Sequence, residues 1–351
     1  MSRSLKRLAS TLYAGCRPLA ESNTSFPYID DRFRFFAYGR HALYEALRMA
    51  NVGEGDVVLL PEYICRETLA AAHALGTGIA YYPVDRALRM AVRPDALPAA
   101  RAIVAVNYFG FPQDLEPFEA YCGKNGAVLI EDNAHGFLSR DYQGRYLGTR
   151  GDLGVFSFRK SLPIVNGSGL ALNRPERVSS PQAQLPFRDD PEPKLFRVKK
   201  VLRRLADWHL TWLLYRLIEL ERSRRVVRSE GAVSEEDPEW HMPEDPAPAG
   251  QLPGLLNRVD TACEDSRRRA LFNGLSPLIR ELGGEPLFSS LPEHVVPYGL
   301  PFYASPDCFA RIQSALKRNY LDAFPWPELP SDIRNHARKF YRSIYLVNFI
   351  W

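Results

Sequence analysis

The sequence predicts an α/β protein in which helices cover both faces of a mostly parallel sheet and a smaller α+β subdomain follows. Between residues 57 and 130, short apolar runs typical of buried strands alternate with segments of helical periodicity. The chain has 351 residues, of which 46% are hydrophobic, which is enough for a large core and two subdomains. Charged residues directly follow two of the apolar runs, so polar groups are expected at strand ends.

The first half of the chain supplies the elements of the predicted sheet. Residues 1–28 are polar and contain proline, and we expect an irregular N-terminal arm that wraps a neighbouring subunit. Leu43, Ala46 and Leu47 repeat at helical spacing, and Gly39 allows a tight entry into this helix. Residues 29–172 form the large domain, with strands predicted at 57–60, 79–85, 102–106 and 128–130 and helices at 62–76 and 115–124.

Residues 173–250 change in character, with many prolines and charges, and are expected to form a helical, Pro-rich insertion. Within it, residues 194–228 predict a long amphipathic helix with a basic outer face. Its apolar positions are Val198, Val201, Leu202, Leu205, Trp208, Trp212 and Tyr215. The helix could cover the mouth of an active site or a dimer seam, lie on a membrane surface, or be plainly solvated. A packed helix is the commoner case, so membrane contact is the less favoured interpretation.

Residues 251–351 predict a small C-terminal subdomain packed on the large domain. A single long helix is expected at 255–282, a strand at 294–304, a helix at 307–319 and a Pro-rich turn at 324–330.

Composition and charge exclude several classes of protein. The net charge of +4 is diffuse and predicts no nucleic-acid partner, no zinc-ligand spacing occurs, and no apolar run is long enough to cross a bilayer. The five cysteines are odd in number and widely scattered, which suits a reducing compartment better than a disulfide framework. A cytoplasmic location is therefore predicted.

The predicted sheet brings an acid and an amine to the ends of two strands. Glu131 and Asp132 follow one apolar run, and Lys160 follows the strand predicted at 154–158. Pyridoxal phosphate needs a lysine amine to form a Schiff base with its aldehyde and a carboxylate to keep its ring nitrogen protonated. Asp132 and Lys160 could fill these roles, while His135 could reach the ring hydroxyl and Ser157 the phosphate.

The same stretch resembles the DegT/DnrJ/EryC1/StrS family of sugar aminotransferases, which have the fold of type I pyridoxal phosphate enzymes. The family pattern runs from an E-D-x-A-[HQ] block through G-x-x-G-D and F-S-F to a lysine loop and a Gly-rich turn. The matching residues are Glu131 to His135, Gly148 to Asp152, Phe156 to Phe158 and Gly167 to Gly169. The order and spacing of four blocks make the resemblance specific. It implies a fold type I transferase that binds pyridoxal 5'-phosphate as its cofactor.

The resemblance also implies where the cofactor phosphate binds. Tyr38 to Leu43 occupies the family's S-G-T-x-A-L block, whose backbone amides at a helix N-terminus hold the phosphate. Gly39, Arg40 and His41 are the expected phosphate residues, and Arg40, in place of the usual threonine, could add a charge-assisted contact. An ordinary helix N-terminus is the alternative interpretation of this block alone.

Three positions depart from the family pattern. A gapless alignment places the family lysine on Leu162, and Lys160 can serve instead if the extended loop shifts by one pair of residues. Cys65 replaces the aromatic residue that stacks on the cofactor ring, so stacking could come from Tyr63 or Tyr108, or Cys65 could hold the ring by packing edge-on. The N-Y-R motif that reaches the neighbouring subunit's cofactor is missing, which affects the expected substrate recognition most.

Two functional hypotheses follow. The favoured one is an aminotransferase that acts on a keto sugar, nucleotide-linked, in cell-surface polysaccharide or secondary-metabolite biosynthesis. Its catalytic residues would be Lys160, Asp132 and His135, and Cys65 is expected beside the cofactor. The resemblance implies an amino donor such as glutamate and a homodimer. The alternative is a relative that has lost transamination and acts as a binding or assembly protein, as the departures at Leu162 and Cys65 suggest.

Overall fold

The architecture was taken from a computed structural model of the chain. It describes residues 2–16, 18–20, 31–189, 192–205, 213, 215–216, 220 and 237–349. The helices are α1 (Ser2–Ala14), α2 (Gly39–Met49), α3 (Leu69–His73), α4 (Glu116–Asn125), α5 (Lys194–Leu205), α6 (Leu252–Leu256), α7 (Thr261–Glu281), α8 (Pro306–Lys317) and α9 (Ser331–Arg334). The strands are β1 (Phe33–Phe36), β2 (Val57–Pro61), β3 (Gly78–Tyr82), β4 (Ala102–Val106), β5 (Val128–Asp132), β6 (Leu153–Phe156), β7 (Ser168–Leu172), β8 (Glu285–Pro286), β9 (Gly299–Tyr303), β10 (Phe324–Pro325) and β11 (Ile344–Asn348).

The large domain is built on a seven-stranded sheet in the order β1-β7-β6-β5-β4-β2-β3. The five strands from β6 to β3 pair in parallel, whereas β7 is antiparallel to both β6 and β1. Strands β4 and β7 are buried throughout, as expected for strands covered on both faces. The predicted α/β fold with a mostly parallel sheet is confirmed.

The small subdomain follows the predicted α+β composition. Its antiparallel sheet has the order β10-β11-β9-β8. Helix α7 begins at the cap Asp260, whose side chain accepts from the Cys263 amide. The single long helix predicted here is two helices, because α6 ends at Leu256 and α7 begins only at Thr261. The Pro-rich turn contributes the short strand β10.

Gly148 of the G-x-x-G-D block and Gly154 of β6 are explained by the close packing between them. A side chain on Gly154 would place its Cβ 1.8 Å from the carbonyl oxygen of Gly148. Gly148 itself has a φ of +84°, and its Cβ would lie 2.3 Å from the ring of Phe156. The block therefore lets the loop before β6 pass directly over that strand.

The N-terminal segment differs from the irregular arm that the composition predicts. Residues 2–14 form α1, which packs against α7 by burying Leu5, Ala9 and Leu12. These positions are three to four residues apart, which is the spacing of one helical face. Polar residues lie between these positions, so amino-acid composition alone does not reveal the helical periodicity. Residues 1, 17 and 21–28 of the predicted arm lie outside the described residues.

The expectation of free cysteines is wrong for one pair. Cys16, just after α1, forms a disulfide with Cys263 at the start of α7, across 247 positions of sequence. Distance along the chain does not report distance in space, so the scattering of the cysteines carried no information about this pair. Cys65, Cys122 and Cys308 are free.

The predicted amphipathic helix of residues 194–228 is described only in part. Its first turns form α5, on which Val198 and Val201 are exposed. Trp208, Trp212 and most residues up to 236 lie outside the described residues. Along the described ranges, no helix combines the length and the apolar character that a membrane span requires.

Candidate active site

A pocket lies at the carboxyl end of the parallel strands, where ligands bind in open α/β sheets. Six of the predicted site residues line it, namely Gly39, Arg40, Cys65, Asp132, Ser157 and Lys160. They come from four segments of the chain: three follow β1, β2 and β6, and the fourth is the end of β5. The sheet thus brings together residues up to 121 positions apart, from Gly39 to Lys160.

Lys160 lies at the end of a short 3-10 helix, Phe158–Lys160, that directly follows β6. Its backbone amide donates to the Ser157 carbonyl oxygen at 3.1 Å, and its side chain is half-buried on the pocket wall. Burial lowers the pKa of the Lys160 amine, although the Cys65 thiol and the Asp132 carboxylate act in the opposite direction. The pocket therefore favours the neutral, nucleophilic amine.

Asp132 is the last residue of β5, and Val155, its neighbour across the sheet on β6, also lines the pocket. One carboxylate oxygen accepts the Ala134 amide at 2.9 Å. Burial raises the pKa of the Asp132 carboxyl, whereas the Ala134 amide and the nearby Lys160 lower it. A cationic ring nitrogen placed here would gain the carboxylate as its partner.

The adjacent Glu131 has a separate, structural role because alternate residues of a strand point to opposite faces. It is fully buried and forms an ion pair with Arg150, whose Nη2 lies 2.5 Å and whose Nε lies 2.8 Å from Oε1. Asn107 donates to the same carboxylate at 2.8 Å. Of the two carboxylates at this strand end, Asp132 alone lines the pocket.

His135 lies behind Lys160, and its Nε2 is 3.3 Å from the lysine Nζ. The ring is 4% exposed and stacks on Tyr298 at 4.1 Å between centroids. The Phe109 amide donates to Nδ1 at 3.4 Å, which puts the proton of the neutral ring on Nε2. Nε2–H can then donate to Nζ when Lys160 is a neutral amine. Burial and the charge of Lys160 lower the pKa of His135 well below its usual value, which is consistent with a neutral ring.

The N-terminus of α2 forms another wall of the pocket. Gly39 begins this helix, and a side chain on it would place its Cβ 3.7 Å from the Cβ of Ser157, so the helix start packs closely on the end of β6. The first amides of a helix have no intrahelical acceptor, so those of Gly39 and Arg40 can bind an anion. Arg40 also lines the pocket, but its Nη1 donates to the His241 carbonyl at 2.8 Å and its Nη2 lies 3.7 Å from Glu67.

His41 is not brought to the pocket. It is buried on α2, and its Nε2 lies 2.8 Å from the Pro243 carbonyl oxygen. Burial lowers the pKa of this ring. The expectation that His41 binds phosphate came from its place in the block, but the helical rotation from Gly39 turns its side chain towards residues 237–250.

Cys65 lines the pocket at the position where an aromatic residue was expected. Burial raises the pKa of its thiol, so the thiol is neutral at physiological pH. Tyr63 and Tyr108, the two alternatives for stacking, are buried elsewhere: the Tyr108 hydroxyl donates to the Tyr63 carbonyl at 2.7 Å and the Tyr63 hydroxyl to the Trp326 carbonyl. Neither tyrosine lines this pocket.

Leu162, the residue at the aligned lysine position, lies in the hydrophobic core. It is 6% exposed and packs in a cluster with Phe158, Ile164 and Leu252. Its amide donates to the Phe158 carbonyl at 2.7 Å, so this loop is a tight turn and not the extended segment that was expected. Residues two apart therefore do not share a face here, and Lys160 alone reaches the pocket.

The sequence analysis assigned no role to several lining residues, among them Tyr38, Glu67 and Arg159. Arg159 places its guanidinium 5.5 Å from the ring centroid of Tyr38, and both residues line the pocket with Glu67. Arg159 stands between the F-S-F block and the predicted lysine, so its position in the sequence was an available signal. Glu67 carries no motif signal.

A segment of the Pro-rich insertion lies against the N-terminus of α2. Besides the contacts of Arg40 and His41, the Ala37 amide donates to the Pro246 carbonyl at 2.8 Å. The insertion contributes only backbone carbonyls to these contacts. No side-chain motif in its sequence could therefore predict them.

Comparison with known proteins gives one family and one fold. Residues 36–176 match the model of the DegT/DnrJ/EryC1/StrS aminotransferase family. Similar solved structures include the aminotransferase TlmJ from Streptoalloteichus hindustanus (18% identity, TM-score 0.59, covering 99% of this chain and 84% of that one). They also include the sugar aminotransferase CalS13 from Micromonospora echinospora (15% identity, TM-score 0.58, 98% and 91%) and AtS13 from Actinomadura melliaura (20% identity, TM-score 0.56, 99% and 86%).

The structural likeness establishes the common fold, and the family model covers the stretch that carries the motifs. Every block quoted above, from the helix entry at Tyr38 to the Gly-rich turn at Gly169, lies within the matched residues. Residues 36–176, which carry all of these blocks, therefore match the DegT/DnrJ/EryC1/StrS aminotransferase family.

Proposed function

We propose that this protein is a pyridoxal phosphate-dependent aminotransferase that acts on a keto sugar. The observation that carries the proposal is the meeting of Lys160 and Asp132 in one pocket at the carboxyl end of the sheet. The matched family and the fold shared with a sugar aminotransferase support the reaction class. A nucleotide-linked sugar from polysaccharide or secondary-metabolite biosynthesis is the substrate we favour.

The donor set of the pocket fits pyridoxal phosphate in its chemistry. An amine, a carboxylate, the free amides at the start of α2 and the Ser157 hydroxyl all line the same pocket. When bound, this cofactor acts as an electron sink that stabilises negative charge on the substrate carbon. Lys160 would hold its aldehyde carbon, Asp132 its ring nitrogen, and Gly39, Arg40 and Ser157 its phosphate.

The environment of Lys160 suits both steps that the amine would perform. Its lowered pKa increases the fraction of neutral amine, the form that attacks a carbonyl carbon, and His135 can donate a hydrogen bond to that form. After release, the same amine can move a proton between two carbon centres as a general base and acid. His135 does not line the pocket and so does not reach the ring hydroxyl as expected; its role would be to orient Lys160.

The finer assignments rest on the family resemblance. Glutamate as amino donor, a homodimer as the assembly and a cytoplasmic location belong to this proposal. The Cys16–Cys263 disulfide removes the cysteine-based argument for a reducing compartment, so the location rests on the small-molecule chemistry alone.

A catalytically inactive binding protein is the second candidate. The specific observation in its favour is Leu162, which occupies the aligned lysine position and lies in the hydrophobic core. Against it, the pocket retains the acid, the amine and the free helix amides that the cofactor needs.

Cofactor loading separates the two candidates. Protein incubated with pyridoxal phosphate and then freed of excess should absorb visible light, and Lys160→Ala should abolish this absorption. Lys124→Ala is the matched control, because Lys124 is exposed and paired with Asp95 on the surface. A colourless native protein contradicts the enzyme and favours the binding protein.

A further inference from the structure

The pocket contains three cationic side chains, and two of them are already engaged. The Arg40 guanidinium donates to the His241 carbonyl and lies 3.7 Å from Glu67. Lys160 contacts the His135 ring, with its Nζ 3.3 Å from Nε2, and is the amine proposed to hold the cofactor. The remaining cation is Arg159, which lines the pocket between Ser157 and Lys160 in sequence.

Arg159 is held in place without a charged partner. Its backbone amide donates to the Gly167 carbonyl at 3.1 Å, which fixes the turn that carries it. Its side chain is exposed, and its guanidinium lies over the Tyr38 ring at 5.5 Å from the centroid. Among the described residues, no carboxylate lies within 4 Å of this guanidinium. A charge held in a pocket without a counter-ion is available to an anionic ligand.

The reaction proposed above requires such a ligand. An amino-acid donor carries a carboxylate on the carbon that bears its amine, so that the two groups enter the pocket together. A carboxylate loses hydration on entering a pocket and needs a charge-assisted partner. The planar guanidinium group suits this task, because it can donate two parallel hydrogen bonds to the two carboxylate oxygens.

We propose that Arg159 is the specificity residue that binds the α-carboxylate of the amino-acid donor beside Lys160. This inference rests on the proposed function. It assigns a task to a side chain that neither the four motif blocks nor the cofactor contacts use, and it limits the donor to amines that carry an adjacent carboxylate.

The test compares two ligands that differ only in this carboxylate. Native protein, Arg159→Gln and Arg159→Lys are loaded with pyridoxal phosphate and titrated with L-glutamate or with its α-amide, and the change in visible absorption gives each dissociation constant. Arg140→Gln is the matched control, since Arg140 also lies over a tyrosine ring, that of Tyr146, but outside the pocket. The affinity for pyridoxal phosphate is measured for each variant as well.

We expect Arg159→Gln to weaken binding of L-glutamate by about 10- to 100-fold and binding of the α-amide by less than about 2-fold. Arg159→Lys should be intermediate, and Arg140→Gln should behave as the native protein. Equal losses for both ligands, no loss for glutamate, a native protein that does not respond to glutamate, or a lost affinity for pyridoxal phosphate would each overturn the inference while leaving the proposed function standing. Native protein that fails to load the cofactor would overturn both.

Discussion

At the scale of single residues, strand periodicity explains how much of the site the sequence predicts. Asp132 and Glu131 are neighbours, and alternation places one in the pocket and the other in an ion pair with Arg150. Lys160 could be found because it follows a strand that ends at the same sheet edge. The tautomer of His135 could not be found, because it depends on the backbone amide of Phe109, 26 residues away.

The buried Asp132 carboxylate should destabilise the apoprotein at neutral pH. Burial raises its pKa, so above the unfolded value of 3.8 the folded state binds more protons than the unfolded state. The contribution of this group to the free energy of unfolding therefore falls as the pH rises from 3.8 to the raised pKa of the folded state. Asp132→Asn should be more stabilising relative to the native protein at pH 7 than at pH 4.

Urea unfolding of both apoproteins at the two pH values measures this difference. The asparagine retains an oxygen that can accept from the Ala134 amide, so the comparison changes the charge and little else. A difference in free energy of unfolding that is the same at pH 4 and pH 7 would contradict the raised pKa.

Arg159 should also influence the reactivity of Lys160. Its positive charge lowers the pKa of the lysine amine, so removing that charge should raise this pKa. Since the neutral amine captures the cofactor aldehyde, we expect the pH profile of the capture rate to move to higher pH in Arg159→Gln. Stopped-flow absorption at a series of pH values measures the profile, with Arg140→Gln as the control. A profile that does not move, or moves to lower pH, would contradict the electrostatic coupling.

At the scale of elements, the loop between β6 and β7 is the part of the site whose conformation the sequence did not predict. The F-S-F block predicts a strand as far as residue 158, but β6 ends at Phe156 and a 3-10 turn follows. An alignment by spacing assumes an extended chain and so brings Leu162 to the lysine position. The turn instead places Lys160 in the pocket and Leu162 in the apolar cluster.

A lysine at position 162 should therefore fail as a replacement. Leu162→Lys would bury an amine among Phe158, Ile164 and Leu252, and we expect it to lower the free energy of unfolding by about 2–5 kcal/mol. The double variant Lys160→Ala, Leu162→Lys should remain colourless with pyridoxal phosphate. Denaturant unfolding and visible absorption provide the two measurements.

Leu162→Met is the control for this variant, because it keeps the apolar character and approximate volume and should cost less than about 1.5 kcal/mol. Recovery of the cofactor absorption in the double variant would show that the family lysine position does reach the pocket.

At the scale of the whole molecule, composition and periodicity predict the α/β architecture but not how its parts are held together. Arg66, just after Cys65, forms ion pairs with Asp237 and Glu239 of the insertion and with Glu328 of the small subdomain. His73 stacks on Trp240 at 3.8 Å. Such contacts join residues more than 160 positions apart, and no local pattern encodes them.

Arg66 should be an important link in this network. Its side chain is 14% exposed and that of Glu239 is 4% exposed, so Arg66→Ala leaves a buried carboxylate without its cation. We expect the free energy of unfolding to fall by about 2–4 kcal/mol. Arg93→Ala is the control, since Arg93 is 87% exposed and its pair with Asp95 is screened by solvent, so a much smaller loss is expected. Equal effects in the two variants, measured by urea unfolding, would show that Arg66 does not join the subdomains.

The proposed active site is tested most directly by identifying the lysine that captures the cofactor. Native protein is loaded with pyridoxal phosphate, reduced with borohydride and digested, and the labelled peptide is identified by mass spectrometry. We predict one pyridoxyl group, on Lys160, and no labelled peptide from Lys160→Ala. A label on another lysine, or an unlabelled native protein, would contradict the assignment of Lys160 as the catalytic amine.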